Sequence, residues 1–449
     1  MARVSVEHEE IVPNARGLIR TFAGHNYEFG ESIADLIDNS LDAGATCVRI
    51  VMEFDGAASY VMIADNGKGI AESEIREALR PGTERDYVND DKGKFGLGLK
   101  TASLRHCRRL TVVGRSDPGR RRIAARELDI DDIERSNKWR VKVVEPSQKA
   151  AELLDANTGT VVIWEKLGKL MGYQNAWGKR AENHFNRLKS ELDEHLSMVF
   201  HRFLAREARR KKPLEIWIGD VKLEPWDPFA RDEKATQELG EKTIDVAGTR
   251  GKGLVVYRPY VLPNKSKFSS VKAFEKYGHN SWNARQGLYV YRADRLIQAG
   301  GWSRLRTLDE HTKYARASID FQRDLDDAFE LNVSKNWFKL PDDLRERLDQ
   351  ELETLFRVAK RSYKPDGPDG GSKPHQPEAG ADKQKSGKGS SQQHSRAGAE
   401  DDEDDEDEVT DPRPALESAA RAAGETAALR KIVSMLSRLH PAVARELGW

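Results

Sequence analysis

The sequence predicts an α/β protein: a two-layer α/β sandwich followed by a second α/β domain, with a disordered acidic linker and a small helical segment behind them. Three observations carry that reading. Over the first 175 residues, short apolar and β-branched runs alternate with amphipathic helices, and successive strands lie close enough to pair as hairpins, which argues against a parallel doubly wound sheet. A long helical pattern near 178–209 then precedes a second series of strands. Past Tyr363 the composition turns to Gly, Pro, Ser and Lys, which bury too little apolar surface to offset chain entropy. The expected divisions are therefore 1–175, 176–363, 364–412 and 413–449.

Along the chain, IADLIDNSLDAG (33–44) reads as a helix. Ile33, Leu36, Ile37 and Leu41 recur at helical spacing, while Asp35, Asp38, Asn39 and Asp42 fall on the other side. ATCVRIVME (45–53) and ASYVMIAD (58–65) read as strands, and a helix is expected near 72–80. DKGKFGLGLKTAS (91–103) is a glycine-rich loop running into a helix from about Leu97. RLTVVGR (109–115) and GTVVIWEKL (159–167) complete the first strands. The second domain takes strands from LEIWIGD, GLVVYRPYVL, QGLYVYRADRLI and RASIDF and closes on a helix over 341–363. DDEDDEDE (401–408) is a self-repelling run. LESAARAAGETAALRKIVSMLSRL has helical spacing interrupted by Gly424, and fits a docking element or a pair of helices folded on the main body equally well.

The 449 residues are 38% hydrophobic and 33% charged, and contain no run of 18 apolar residues, so no membrane span is expected. MARVSVEHEE lacks the apolar centre of a secretory signal, and Cys47 and Cys107 have no metal-ligand spacing. A reducing, cytoplasmic setting without disulfides or a zinc site follows as the expectation. Residues 364–449 hold 17 acidic and 12 basic side chains, leaving 57 acidic and 62 basic in 1–363. That surplus is small for a nucleic-acid-binding surface.

The chemistry concentrates in four segments. Asp35, Asn39 and Asp42 are spaced by four and three, so they stack on one helix face. Such an oxygen-rich face suits Mg²⁺, which takes few protein oxygens; a solvated polar face has the same pattern. In IADNGKGI (63–70), a strand ends at Asp65, whose carboxylate can accept from an exocyclic amine, and Gly67 and Gly69 let backbone approach a flat ring. Asp-Asn-Gly is equally a turn. Gly93, Gly96 and Gly98 precede a helix start, where unpaired N–H groups suit phosphate, and Lys92, Lys94 and Lys100 add positive charge. The spacing is not that of a Walker A loop. Thr160 opens a strand, its hydroxyl available to a base or a water near Asp65.

These four segments, in this order and at this spacing, resemble the GHKL ATPases, which include DNA gyrase B, the ninety-kilodalton heat-shock chaperones, histidine kinases and MutL proteins. LEIWIGDVKLEPWDPF (214–229), QGLYVYRADRLIQAGGW (286–302) and NVSKNWFKLP (332–341) resemble the transducer domain of MutL- and MORC-type members. The resemblance implies a Bergerat-type ATP-binding fold, ATP and Mg²⁺ as ligands, and slow Mg-dependent hydrolysis. It implies Asn39 on the metal and Asp65 on the adenine amine. Further nucleotide contacts would come from Asp42, Gly67, Gly69, Ile70, Gly93, Phe95, Gly96, Leu97, Gly98, Leu99, Lys100, Thr101 and Thr160. Lys335, with Lys339 second, would reach the γ-phosphate. The family usually has Glu four residues before the metal Asn; this chain has Asp35, a general base one methylene shorter. Glu31, one turn earlier, is an alternative base, and a place beside the metal is an alternative role for Asp35.

The resemblance further implies a lid over 71–95 and an ATP-dependent homodimer in which residues 1–25 cross over. RHCRR (105–109), GRRR (119–122) and AREARRKK (205–212) fit DNA phosphates and fit solvated faces nearly as well. A DNA-associated clamp leads. A chaperone-like ATPase acting on protein and a nucleotide-sensing scaffold with little turnover are the alternatives.

Overall fold

The computed structural model describes residues 14–24, 28–81, 98–117, 123–154, 157–172, 175–210, 212–248, 251–278, 281–331, 338–363 and 433–434. The chain divides into units 1–370 and 371–449. Of the second unit only 433 and 434 are described, both helical, so the expected linker and tail otherwise lie outside the described residues.

The first part of the chain runs α1 (Ala15–Gly24), α2 (Phe29–Asp42), β1 (Cys47–Glu53), β2 (Tyr60–Asp65), α3 (Glu72–Ala78), α4 (Gly98–Leu104), β3 (Arg109–Arg115), β4 (Ala124–Asp129) and α5 (Ile130–Ser136). It continues with β5 (Lys142–Val144), α6 (Gln148–Leu154), β6 (Gly159–Glu165), α7 (Gly168–Met171), α8 (Lys179–Val199), α9 (His201–Leu204), β7 (Glu215–Ile218) and β8 (Val221–Lys222). The strands form one sheet, ordered β5-β4-β3-β6-β2-β1-β7-β8. Its β1–β2, β2–β6, β3–β6 and β3–β4 pairs are antiparallel, and β1–β7 is parallel.

Strand alternation explains why these strands read as unbroken apolar runs. Val61 and Ile63 of β2, with Val162 and Trp164 of β6, enter the core shared with α1, α2 and α8. Met62, Ala64, Val161 and Ile163 face the other way, where α6 supplies Ala150 and Leu154. The sandwich is thus the expected one, with α6 added on its far face. β4, β5, α5 and α6 were not expected: the 123–154 stretch is charged, and its outer strands carry only weak alternation.

The hydrophobic core of the first sheet runs past residue 175. Phe185, Leu188, Leu192 and Leu196 of α8 and Ile216 and Ile218 of β7 belong to the first core, which extends to Leu223. The second core begins at Phe229. The reason lies in β1, whose open edge takes β7 as its parallel neighbour.

The second sheet is built from β9 (Gln237–Glu238), β10 (Lys242–Gly248), β11 (Gly251–Val261), β12 (Gly287–Arg292), β13 (Arg295–Ala299) and β14 (Ala315–Phe321). Its order is β10-β11-β14-β12-β13, with β9 also on β11. Every residue of β12 and β14 is buried, as befits central strands. Two short helices, α10 (Val271–Gly278) and α11 (Trp282–Arg285), precede β12. The closing helix α12 (Asp342–Tyr363) buries Leu344, Leu348, Leu352, Leu355 and Ala359, a stripe at helical spacing.

One hairpin reaches back to α2. β12 and β13 are joined through Ala293 and Asp294, both with positive φ (47° and 70°), the signature of a primed turn that follows strand twist. The register shifts between Val290 and Tyr291. Asp294 Oδ2 accepts the Arg209 backbone N–H at 2.9 Å, which ties the turn to the chain after α9. Arg295 follows at once.

Candidate functional site

The glycine that ends the opening helix motif has a structural cause. Gly44 sits past α2 with φ 76°, and its N–H bonds the Leu41 carbonyl at 3.0 Å, a left-handed stop that a side chain disfavours. Along α2 the expected polar face is split. Asn39 and Asp42 are exposed, Glu31 is half-buried, and Asp35 and Asp38 are 5% and 1% exposed. Burial of two carboxylates is explained from the second sheet: Arg295 Nη2 lies 3.5 Å from Asp35 Oδ1, and its Nε lies 2.8 Å from Asp38 Oδ2. On a further side of the helix, Gly30 lies against the His195 ring of α8, 2.9 Å from where a Cβ would stand.

Asp65 ends β2 opposite Thr160 of β6. Its Oδ1 accepts the Gly67 N–H at 2.8 Å and its Oδ2 accepts the Ser40 hydroxyl at 3.1 Å. Burial raises its pKa above the ordinary carboxylate value; the Gly67 backbone, Ser40 and the Thr160 backbone oppose that rise. Asn66 Oδ1 accepts from the N–H groups of Thr46 and Cys47, both at 2.8 Å, so the turn is pinned to the start of β1. Thr158 Oγ1 donates to the Gly67 carbonyl at 2.7 Å.

The glycines here are set first by protein neighbours. A Cβ on Gly69, whose φ is 72°, would stand 1.9 Å from the Arg115 carbonyl oxygen, and one on Gly67 would meet Ala43 at 2.8 Å. Ile70 packs over Gly114, where a Cβ would come within 2.3 Å of it. The close backbone approach expected for a flat ring is thus already used to join the β2 turn to the β3 end.

Gly93, Phe95, Gly96, Leu97 and Lys335 lie outside the described residues. Gly98 opens α4, and Leu99 is half-buried. Lys100 is wholly buried and donates to the Ala78 carbonyl at 2.7 Å, and the Thr101 hydroxyl donates to the Gly98 carbonyl at 3.3 Å. Lys339 pairs with Glu330 at 3.2 Å on the surface. Of the basic clusters, Arg108 is paired with Asp131 and Glu134, and Arg109 lies 3.4 Å from Asp129. Arg210 donates to the Ala45 carbonyl. These arginines are committed within the fold.

The structure therefore brings Asp65, Gly67, Thr160 and, through Ser40, the Asn39 helix to one place. An exposed amide beside an exposed carboxylate fits Mg²⁺ with most of its shell filled by water and phosphate. A half-buried carboxylate with fixed acceptor geometry fits an amine-bearing base. Ser40, Thr158 and Arg295 escaped the sequence reading. Ser40 adjoins Asn39 and was within reach of helical-face reasoning. Arg295 is supplied by a distant hairpin and carries no local signal.

Residues 27–160 match the family described as histidine kinase-, DNA gyrase B- and HSP90-like ATPases. Among curated proteins, the chain is 40% identical over 88 residues to a DNA mismatch repair protein MutL of Vibrio parahaemolyticus, spanning 18% of this chain and 13% of that protein. It is 36% identical over 88 residues to Protein MICRORCHIDIA 5 of Arabidopsis thaliana, spanning 18% of this chain and 12% of that one. The matched stretch is thus a small share of those relatives' length. Among solved structures, the N-terminal domain of a DNA repair protein superposes at a TM-score of 0.48 and 16% identity, over 77% of this chain and 99% of that one. No described helix is long and apolar enough to cross a membrane.

Proposed function

We propose, from the match of residues 27–160 to the family of histidine kinase-, DNA gyrase B- and HSP90-like ATPases, that the protein binds ATP with Mg²⁺ between α2 and the end of β2 and hydrolyses it to ADP and phosphate. The observation carrying this reading is the 3.1 Å bond from Ser40 to Asp65, which joins the helix of Asn39 to the strand-end carboxylate. Asp65, oriented by the Gly67 N–H, accepts from the adenine amine. Asn39 would hold Mg²⁺, which when bound offsets phosphate charge. Gly96, Leu97, Gly98 and Leu99 offer backbone N–H groups to the phosphates. Asp35 takes the proton of the attacking water. A second-domain lysine, Lys335 with Lys339 as the alternative, meets the charge on the transferring group. Turnover is slow, because the base is an aspartate.

Residues 71–95 serve as the lid, and its closure over ATP drives homodimerisation into a clamp on DNA. Support for DNA comes from relatives named for DNA mismatch repair; the paired Arg108 and Arg109 lend none. Calorimetry with ATP and Mg²⁺ tests binding, and an absence of heat from folded protein overturns the reading. Steady-state turnover with and without duplex DNA tests the rest. Stimulation by DNA supports the clamp, DNA-indifferent turnover points to a protein client, and binding without turnover leaves the scaffold. Light scattering with a non-hydrolysable ATP analogue reads dimer formation.

A further inference from the structure

We propose that Arg295 is the positioning residue for Asp35, fixing the carboxylate that activates water; the proposal rests on the ATPase reading above. Asp35 and Asp38 lie one turn apart on α2 and both are buried. In a site with little water, two such carboxylates repel. Arg295 stands between them, its own side chain only 8% exposed. Its Cζ lies 6.0 Å from the Phe200 ring. His195 is neutral near pH 7, since burial and the Arg295 charge push its pKa down to about 4. The guanidinium therefore supplies the positive charge from this side.

A guanidinium carries its charge on a rigid planar fork, so the place of that charge is set by the packing of the arginine itself. The distances divide the labour. Asp38 lies 2.8 Å from Nε and holds the arginine by charge, while Nη2, 3.5 Å from Asp35, places a positive charge beside the base. Neither contact is an aligned hydrogen bond, so the guanidinium acts on Asp35 through charge and packing. The mounting is rigid as well. Arg295 opens β13 directly after the Ala293–Asp294 turn, that turn is tied to the Arg209 N–H, and the register shift at Val290/Tyr291 sets the hairpin's course. A short base tolerates little misplacement, and a residue brought in by the second sheet removes the freedom it would otherwise have.

The test compares full-length wild type, R295Q and R295K in steady-state ATP turnover and in ATP calorimetry with Mg²⁺. Loss of positioning lowers kcat of R295Q about 10- to 100-fold while ATP Kd stays within about threefold. R295K keeps the charge without the fork and falls between wild type and R295Q. A kcat for R295Q within about twofold of wild type overturns the proposal, as does a kcat loss matched by an equal weakening of Kd. Should R295Q fail to fold, wild-type kcat in R295K overturns it equally. Wild-type protein that binds ATP without turnover, or binds none, overturns the ATPase reading itself, an outcome told apart because it appears before any substitution is made.

Discussion

Asp65 is held where its charge is disfavoured. Burial raises its pKa, so ionisation costs the folded state more than the unfolded one, and above the unfolded carboxylate pKa the residue subtracts from stability. Asp65→Asn removes that penalty and keeps an oxygen to accept the Gly67 N–H. The variant should match or exceed wild type in thermal midpoint, yet bind ATP at least about tenfold more weakly, since an amide presents a donor where the adenine amine needs an acceptor. Calorimetry and a thermal melt on the same sample read both effects. His106 behaves in the opposite sense. Stacked on Trp164 and bonded to the Ser32 hydroxyl at 2.8 Å, it has a pKa pushed down to about 4 by burial and by the Arg105 charge. As pH falls below the unfolded value of about 6.5 the unfolded chain gains the proton first, so stability drops from there toward pH 4. Between pH 7 and pH 5 His106 should account for roughly 2 kcal/mol of lost stability, and denaturant melts of His106→Gln should show a pH dependence flatter by that amount. That Asp65 closes a strand and Asn39 sits on a helix was legible in the sequence, because short-range spacing carries both placements. Arg295 was not, since no local pattern tells an arginine beside a turn that two buried aspartates await it.

At the scale of elements, the packing of α2 on α8 shows which of two opposing effects wins. Gly30 is the second residue of α2, in its first turn, where Ala would gain at most the roughly 1 kcal/mol of a helix interior. A Cβ there would stand 2.9 Å from the His195 ring, and forcing the helices apart costs about 1–3 kcal/mol. Gly30→Ala should therefore destabilise the protein by about 1 kcal/mol net, seen as a lowered denaturant midpoint with an unchanged m value. The strands β1, β2, β3 and β6 were legible within about two residues: β2, β3 and β6 feed a core on both faces and read as nearly unbroken apolar runs, while β1 buries Val48 and Ile50 on one face and exposes Arg49 on the other. β4 and β5 were missed because they lie toward the outside of the sheet, where Arg126 and Glu127 serve ion pairs as much as packing.

Across the whole molecule, the core of the first sheet reaches past residue 175 to Leu223. Phe185, Leu188, Leu192 and Leu196 each bury a side chain worth about 1.5–3 kcal/mol, a sum comparable to the entire net stability of a domain. A chain cut after residue 175 should aggregate, whereas one cut after 224 should stay soluble and unfold cooperatively, with a lowered midpoint because Asp35 and Asp38 lose Arg295. Size-exclusion chromatography and circular dichroism distinguish the two. The helical run was legible, but its allegiance was not, since an amphipathic stripe does not say which sheet it will cover. The parallel pairing of β1 with β7 also sets a timetable for synthesis. At about 5–20 residues per second, a ribosome takes roughly 10–30 s to travel from one of these strands to the other. For that interval the nascent β1 edge is an unfilled template, and a chaperone that shields it must let go only after Ile218 has emerged.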